Sequence, residues 1–347
     1  MRIADINIGV DNPPIVIAEL SGNHNQSLDR ALALVKAAHD AGVHMIKLQT
    51  YTADTITLNC DGDDFVVSDP KSLWYGRTFH SLYSEAHTPW AWQEEIIRFA
   101  ESLGVACFSS VFDATSVDFL EKLDVPAYKI ASQEIVHLPL IRYVAETGKP
   151  MIISTGMATL GEIDEAVNTA IKAGASDLAL LKCSSSYPAS PEHSNIATIP
   201  FLKKLFGCEV GLSDHTLGIG VPLAAIACGA SIVEKHLTLD RGDGGVDSGF
   251  SSEPQEIEQL VSESKRVWQS LGHVQFGPTA GDIGSMSGRR SIYLCENVSR
   301  GDVASASNIK VVRPNKGLPP KYYDFILGRK FNSDFSKGDP LNWDMLI

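Results

Sequence analysis

Between Ile15 and Leu271 the chain alternates short apolar runs with stretches of helical period, eight times over. The runs are Ile15–Leu20, His44–Leu48, Val105–Ser109, Ala127–Ile130, Met151–Ser154, Leu178–Cys183, Cys208–Leu212 and Ser231–His236. They are apolar on both faces, which suits strands of a parallel sheet covered by helices. Ser27–Ala41 is typical of the helical stretches, with Leu28, Ala31, Leu32, Val35 and Ala38 on one face and Gly42 as its stop. Eight such units in about 270 residues predict an α/β fold, a (β/α)8 TIM barrel. An open doubly wound sheet is the runner-up, but no GxGxxG follows the first run.

The barrel is expected over residues 1–271. Residues 272–288, rich in Gly, Ser, Pro and Thr, read as a linker. Residues 289–347 break into short strand-like pieces, Ser291–Cys295, Ile309–Val312 and the tail near Leu341–Ile347. They carry a weak repeat, Val298-Ser-Arg-Gly-Asp against Phe335-Ser-Lys-Gly-Asp. So few residues make a marginal domain alone and are expected to pack on the barrel or on a partner subunit. The stretch Thr52–His87 interrupts the second unit and is long enough to be a functional lid.

The net charge of −13 and pI near 5.2 argue against nucleic acid or an anionic membrane as partner. No apolar run reaches membrane-spanning length, and Met1-Arg-Ile-Ala-Asp does not resemble a secretory leader. The six cysteines show no CxxC pairing and read as reduced thiols of a cytoplasmic protein.

In such barrels chemistry gathers where the strands end. His215, in Gly211-Leu-Ser-Asp-His-Thr-Leu, and His236, in Glu234-Lys-His, fall at the ends of neighbouring strands. Either alone is an ordinary core histidine. Together they suit a divalent metal that keeps open coordination positions. Lys47 and Lys129 lie inside apolar runs, where a buried ammonium requires an anionic partner. With the serines at other strand ends they suggest a pocket for phosphate or carboxylate. Glu19 could serve as a base beside the metal, or simply pair with Lys47 on the next strand. Asp247, in the glycine-rich Gly244–Phe250 loop, together with Gln49 and Tyr187 makes a mouth suited to a sugar.

These pieces resemble the sialic acid synthase family, which condenses phosphoenolpyruvate with an amino sugar. The similarity rests on Ala18-Glu-Leu-Ser-Gly-Asn-His-Asn, Lys47-Leu-Gln-Thr, Tyr128-Lys-Ile-Ala-Ser, Ser154-Thr-Gly-Met, Tyr187-Pro and the two histidine motifs. Residues 289–347, with Arg313-Pro-Asn-Lys-Gly-Leu-Pro-Pro, look like the family's antifreeze-like SAF domain. Within the family the chain looks most like the pseudaminic acid synthases, through Ser21-Gly-Asn-His, Glu85-Ala-His-Thr-Pro-Trp and Lys182-Cys-Ser-Ser. That resemblance implies condensation with 2,4-diacetamido-2,4,6-trideoxy-L-altropyranose to give pseudaminic acid and phosphate. N-acetylneuraminate or legionaminate synthesis is the alternative, and a non-catalytic sugar-binding protein a distant one.

The resemblance also implies roles for individual residues. Lys47, Ser110, Lys129, Ser132, Ser154, Ser185 and Ser213 would hold phosphoenolpyruvate. His215 and His236 would bind Mn2+, with Mg2+ or Co2+ as substitutes. Glu19, Gln49, Tyr187, Asp247 and Arg313 would contact the sugar. For the reaction itself, Glu19 and Glu234 are the expected catalytic carboxylates, Glu234 beside the attacking water. A homodimer is implied, its SAF domain covering the partner's barrel, so that Arg313 acts across subunits. Val111 stands where the family usually has proline, which is expected to loosen the turn beside Ser110.

Overall fold

Eight parallel strands close into a barrel in the computed structural model, which describes residues 1–347. After a short hairpin, β1 (Arg2–Ile3) and β2 (Ile6–Asn7), the barrel strands are β3 (Ile15–Glu19), β4 (Met45–Thr50), β5 (Ala106–Val111) and β6 (Tyr128–Ile130). They continue as β7 (Met151–Ser154), β8 (Leu178–Cys183), β9 (Glu209–Asp214) and β10 (Ile232–His236). Neighbours in sequence are neighbours in space, and β10 pairs β3 from Ile232↔Ile15 to His236↔Glu19, which leaves no sheet edge.

The helices are α1 (Leu28–Asp40), then α2 (Ala53–Ile56) and α3 (Phe79–Ala86) within the long insertion, α4 (Trp90–Ser102), α5 (Ala114–Leu123), α6 (Leu138–Glu146), α7 (Leu160–Lys172), α8 (Ile199–Phe206), α9 (Gly220–Ala227) and α10 (Pro254–Leu271). Local chemistry sets several of their starts. Ser27 caps α1 by accepting from the Arg30 N–H, and Thr159 forms a capping box with Glu162 at α7.

Strand parity decides what each side chain meets. Ile15, Ile17, Met45, Phe108, Ala127, Ile152, Ala179, Leu181 and Ile232 point inward and form one buried cluster, with Ile3 and Ile8 of the hairpin region packed on it. A larger cluster, including Val16, Ile46, Leu180 and Val233, lies between strands and helices. Gly211 has room for nothing more: a Cβ there would lie 2.7 Å from Leu181 Cδ2 and still closer to the Ile232 carbonyl. One correction concerns β5, which runs through Val111, buried and in register with Thr50. Valine continues the ladder where proline would stop it, so no loosened turn lies beside Ser110.

Residues Met1–Gly272 make one compact unit and His273–Ile347 another. In the second, Ala280–Gly288 winds into 3-10 turns before β11 (Ser291–Leu294) pairs β12 (Ile309–Val312), and α11 (Tyr323–Ile326) follows. Its core gathers Ile292, Leu294, Ile309, Ile326, Phe331 and Leu341. The tail differs from the expected strand. Trp343–Met345 is a 3-10 turn, and isolated bridges Tyr293↔Pro340 and Phe331↔Leu346 flank it. Proline at 340 lacks the N–H that a regular ladder needs. The weak repeat is structural: Val298 and Phe335 bridge each other, and Asp302 and Asp339 each accept from the serine N–H three residues earlier, Ser299 and Ser336.

Candidate active site

Four ionisable side chains meet inside the barrel where its strands end. Lys47 Nζ lies 2.5 Å from Glu19 Oε2 and 3.2 Å from Glu234 Oε1. Lys129 Nζ reaches that same Glu234 oxygen at 3.2 Å, and Ser213 Oγ donates to it at 3.0 Å. Gln49 Nε2 donates to Glu19 Oε1 at 2.9 Å. All four charges are buried. Burial alone would raise the Glu234 pKa, but the Lys129 and Lys47 ammoniums outweigh it and hold the carboxyl well below the usual range. Each lysine already has a carboxylate within reach. Burial lowers the Lys47 pKa to about 7, with the Glu234 carboxylate opposing the shift and the Lys129 charge adding to it.

Free capacity sits around this cluster. Glu234 Oε2, Ser110 Oγ and Ser154 Oγ are buried without hydrogen-bond partners. Ser132 Oγ accepts from the Gly156 N–H at 3.1 Å, and a side chain at 156 would collide with the hydroxyls of Ser132 and Ser185. Buried hydroxyls without partners are costly, and they mark where a polar ligand would satisfy them.

His215 and His236 face each other with ring centroids 5.2 Å apart. Both are anchored through Nδ1. His215 Nδ1 lies 3.0 Å from the Ser184 carbonyl oxygen, and His236 Nδ1 lies 3.1 Å from Ser21 Oγ. Burial pushes His236 far below the ordinary imidazole value, with the charges of His215 and Lys47 adding to it. Burial acts the same way on His215, but hydrogen bonds to Cys183 and the Ser184 carbonyl reverse the net direction. No three His, Cys, Asp or Glu side chains come together as a metal cage. Two imidazoles with free Nε2 atoms fit an ion whose remaining positions go to water or substrate.

An aromatic wall stands against the histidines. Tyr187 lies 4.5 Å from His215 and 5.1 Å from Phe250, centroid to centroid, and Phe250 lies 4.9 Å from His236. Trp74, from the long insertion, covers Tyr187 at 5.7 Å and donates its indole N–H to the Val246 carbonyl at 2.9 Å. The insertion thus reaches the mouth.

Residues 34–276 match the NeuB family and residues 289–347 match the SAF domain. The chain belongs to the NeuB family. It is 39% identical over 335 residues to the pseudaminic acid synthase of Campylobacter jejuni subsp. jejuni (strain 81-176), covering 96% of this chain and 97% of that one. It is 37% identical to the pseudaminic acid synthase of Helicobacter pylori, with the same coverage. Among solved structures it resembles the N-acetylneuraminic acid synthetase of Leptospira borgpetersenii, crystallised with citrate. There the TM-score is 0.72 and the identity 32%, over 82% of this chain and 94% of that one.

In this NeuB-family barrel Glu19, Lys47, Gln49, Ser110, Lys129, Ser154, Ser213, Glu234 and His236 lie on the strands, and Ser132, Ser185, Tyr187, His215 and Asp247 lie on the loops that follow them. Asp247 spends one carboxylate oxygen on the Ser21 hydroxyl and the Gly22 N–H. Arg313 lies in the other unit, exposed just past β12. Ser21, Cys183 and Phe250 were missed as site residues. Period-two counting along β8 would have found Cys183, since Ala179 and Leu181 point inward. The same count turns Lys182 away, and its Nζ folds back on the Cys183 carbonyl at 2.8 Å.

Proposed function

We propose that this chain joins phosphoenolpyruvate to 2,4-diacetamido-2,4,6-trideoxy-L-altropyranose and water, releasing pseudaminic acid and inorganic phosphate. The observation that carries the chemistry is the pair of unsatisfied buried hydroxyls, Ser110 and Ser154, at the strand ends that also present Lys129, with Ser110 in register with that lysine. The product is taken from the names of two relatives matched over nearly their whole length, both pseudaminic acid synthases, and the sugar is the one that product requires.

In the proposed reaction C3 of phosphoenolpyruvate forms the new bond to the open-chain sugar aldehyde. Water adds its oxygen at C2, and the C–O bond to phosphate then breaks. Ser110, Ser132, Ser154 and Ser185 would take the phosphate and carboxylate oxygens, and Lys47 and Lys129 would share their charge between these oxygens and the two glutamates. Glu234 Oε2, unpartnered, would accept a hydrogen bond from the attacking water. Two flanking lysines make Glu234 a weak base, so it orients water more than it deprotonates it. His215 and His236 would hold a divalent ion, Mn2+ first. When bound, that ion supplies Lewis-acid polarisation of the sugar carbonyl. Gln49, Tyr187 and Asp247 line the sugar side, and Arg313 would reach it from the partner of a homodimer. The six free thiols support a cytoplasmic setting.

The test is phosphate release from phosphoenolpyruvate with a panel of 2-acetamido and 2,4-diacetamido hexoses, with and without chelator. Release with the L-altro diacetamido sugar, abolished by chelator and restored by Mn2+, is expected. Release with N-acetylmannosamine alone overturns the pseudaminate assignment, and release indifferent to chelator overturns the metal.

A further inference from the structure

The Ser21 hydroxyl touches two side chains from other parts of the barrel. It lies 3.1 Å from His236 Nδ1 and 2.5 Å from Asp247 Oδ2, and the Gly22 N–H supports the same carboxylate oxygen at 3.3 Å. Ser21 and His236 are buried, so their bond is not readily exchanged for water, while Asp247 is half-buried. A hydroxyl has one proton. Given to the Asp247 carboxylate, that proton is not available to the imidazole. The proton in the Ser21–His236 bond must then come from the ring, which places it on Nδ1 and leaves the Nε2 lone pair free. His215 reaches the same tautomer by donating from Nδ1 to the Ser184 carbonyl.

The backbone at Ser21 adds a second observation. Its φ is +37°, in the left-handed region where a side chain is strained and glycine is not. Strain kept at a buried polar residue beside a candidate site points to a use for the side chain. Glycine would take this φ without strain but has no hydroxyl to offer.

We propose that Ser21 and Asp247 form a relay that fixes His236 in its Nδ1–H tautomer and aims Nε2 at the ion. Ser21 is a positioning residue, and Asp247 serves the histidine as well as the sugar side of the mouth. The inference rests on His215 and His236 being the metal ligands, and the experiment separates the two.

The full-length protein is labelled with 15N-histidine and studied first free of metal, then by Mn2+ titration followed through the electron paramagnetic resonance of the free ion. Wild type should show His236 as a single Nδ1–H tautomer. Ser21→Gly removes the hydroxyl and its two hydrogen bonds but relieves the strained φ, which offsets part of the stability lost. It should lose the single tautomer and weaken Mn2+ binding on the order of 10–100-fold. Asp247→Asn keeps an acceptor oxygen for Ser21 and should weaken binding less. A Ser21→Gly protein with the Nδ1–H tautomer and wild-type Mn2+ affinity overturns the relay. So does loss of affinity in Asp247→Asn with Ser21→Gly unaffected. If wild type binds no Mn2+, the metal assignment fails, while the tautomer in Ser21→Gly still decides for or against the relay.

Discussion

Lys47 and Glu19 meet 2.5 Å apart on neighbouring strands, with both side chains shielded from water. Each makes the other's burial tolerable. Lys47→Met leaves the Glu19 carboxylate buried with only Gln49 in contact, so unfolding stability should fall by about 3–5 kcal/mol. Glu19→Gln with Lys47→Met removes both charges, and its cost should be less than the sum of the single changes. Denaturant unfolding of the three variants decides this, and strictly additive losses would show that the two residues act independently.

Trp74 extends the aromatic wall beyond what strands and their short loops supply, lying 5.7 Å from Tyr187 and 6.5 Å from Phe250. Its indole N–H is taken by the Val246 carbonyl, so its face is what a ligand would meet. Trp74→Ala should reduce kcat/KM for the diacetamido sugar by about 5–30-fold, the equivalent of roughly 1–2 kcal/mol. The KM for phosphoenolpyruvate should not change, because the serines and lysines lie deeper. Steady-state kinetics with each substrate varied in turn separates the two, and an equal loss on both substrates would place Trp74 outside the sugar subsite.

Gly211→Ala is expected to be among the most damaging small substitutions in the barrel. The added methyl would press on the Ile232 carbonyl and Leu181, both held by the closed ladder. Overpacking of this kind costs about 1–3 kcal/mol or more. It also pushes β9 from β10, the strands that carry the two histidine motifs. Thermal unfolding should drop together with Mn2+ affinity, and a drop in melting alone would show that the strands adjust without moving the site.

The barrel was legible because its strands are apolar on both faces and recur at even spacing. The leading site residues were legible because they interrupt those runs: a lysine at 47 or 129 inside apolar sequence requires an anionic partner, whether a carboxylate of the barrel or a ligand. Their partners were harder to read. That Glu234 serves both lysines depends on a barrel cross-section, which brings residues 47, 129 and 234 together. No local pattern encodes that distance. In the sequence Ser21 is only one letter of a motif, since its role rests on a left-handed turn and on contacts to residues 236 and 247. Trp74 lies in a stretch without periodicity, where sequence offers composition but no direction. The tail is the opposite case: its apolar spacing near Leu341 resembles a strand, but Pro340 lacks the N–H that a ladder needs and the chain turns at Trp343–Met345.

His24 gives the fold an acid sensitivity of its own. It is buried, accepts the Gln26 N–H at Nδ1 and meets the edge of Trp92 at 5.9 Å, while its Nε2 has no partner. Burial, with the charge of His87 adding to it, lowers its pKa from 6.5 to about 4. The unfolded chain therefore takes up this proton below pH 6.5, while the folded protein resists it until about pH 4. Stability is complete above 6.5 and is lost as pH falls through that window, by about 2 kcal/mol between pH 7 and pH 5 from this group alone. His24→Asn offers an oxygen to the same N–H and cannot titrate. It should be less stable than wild type at pH 7 through lost packing, yet fall less steeply toward pH 5. Urea unfolding of both proteins at the two pH values measures the difference in slope, and parallel losses would remove His24 as its source.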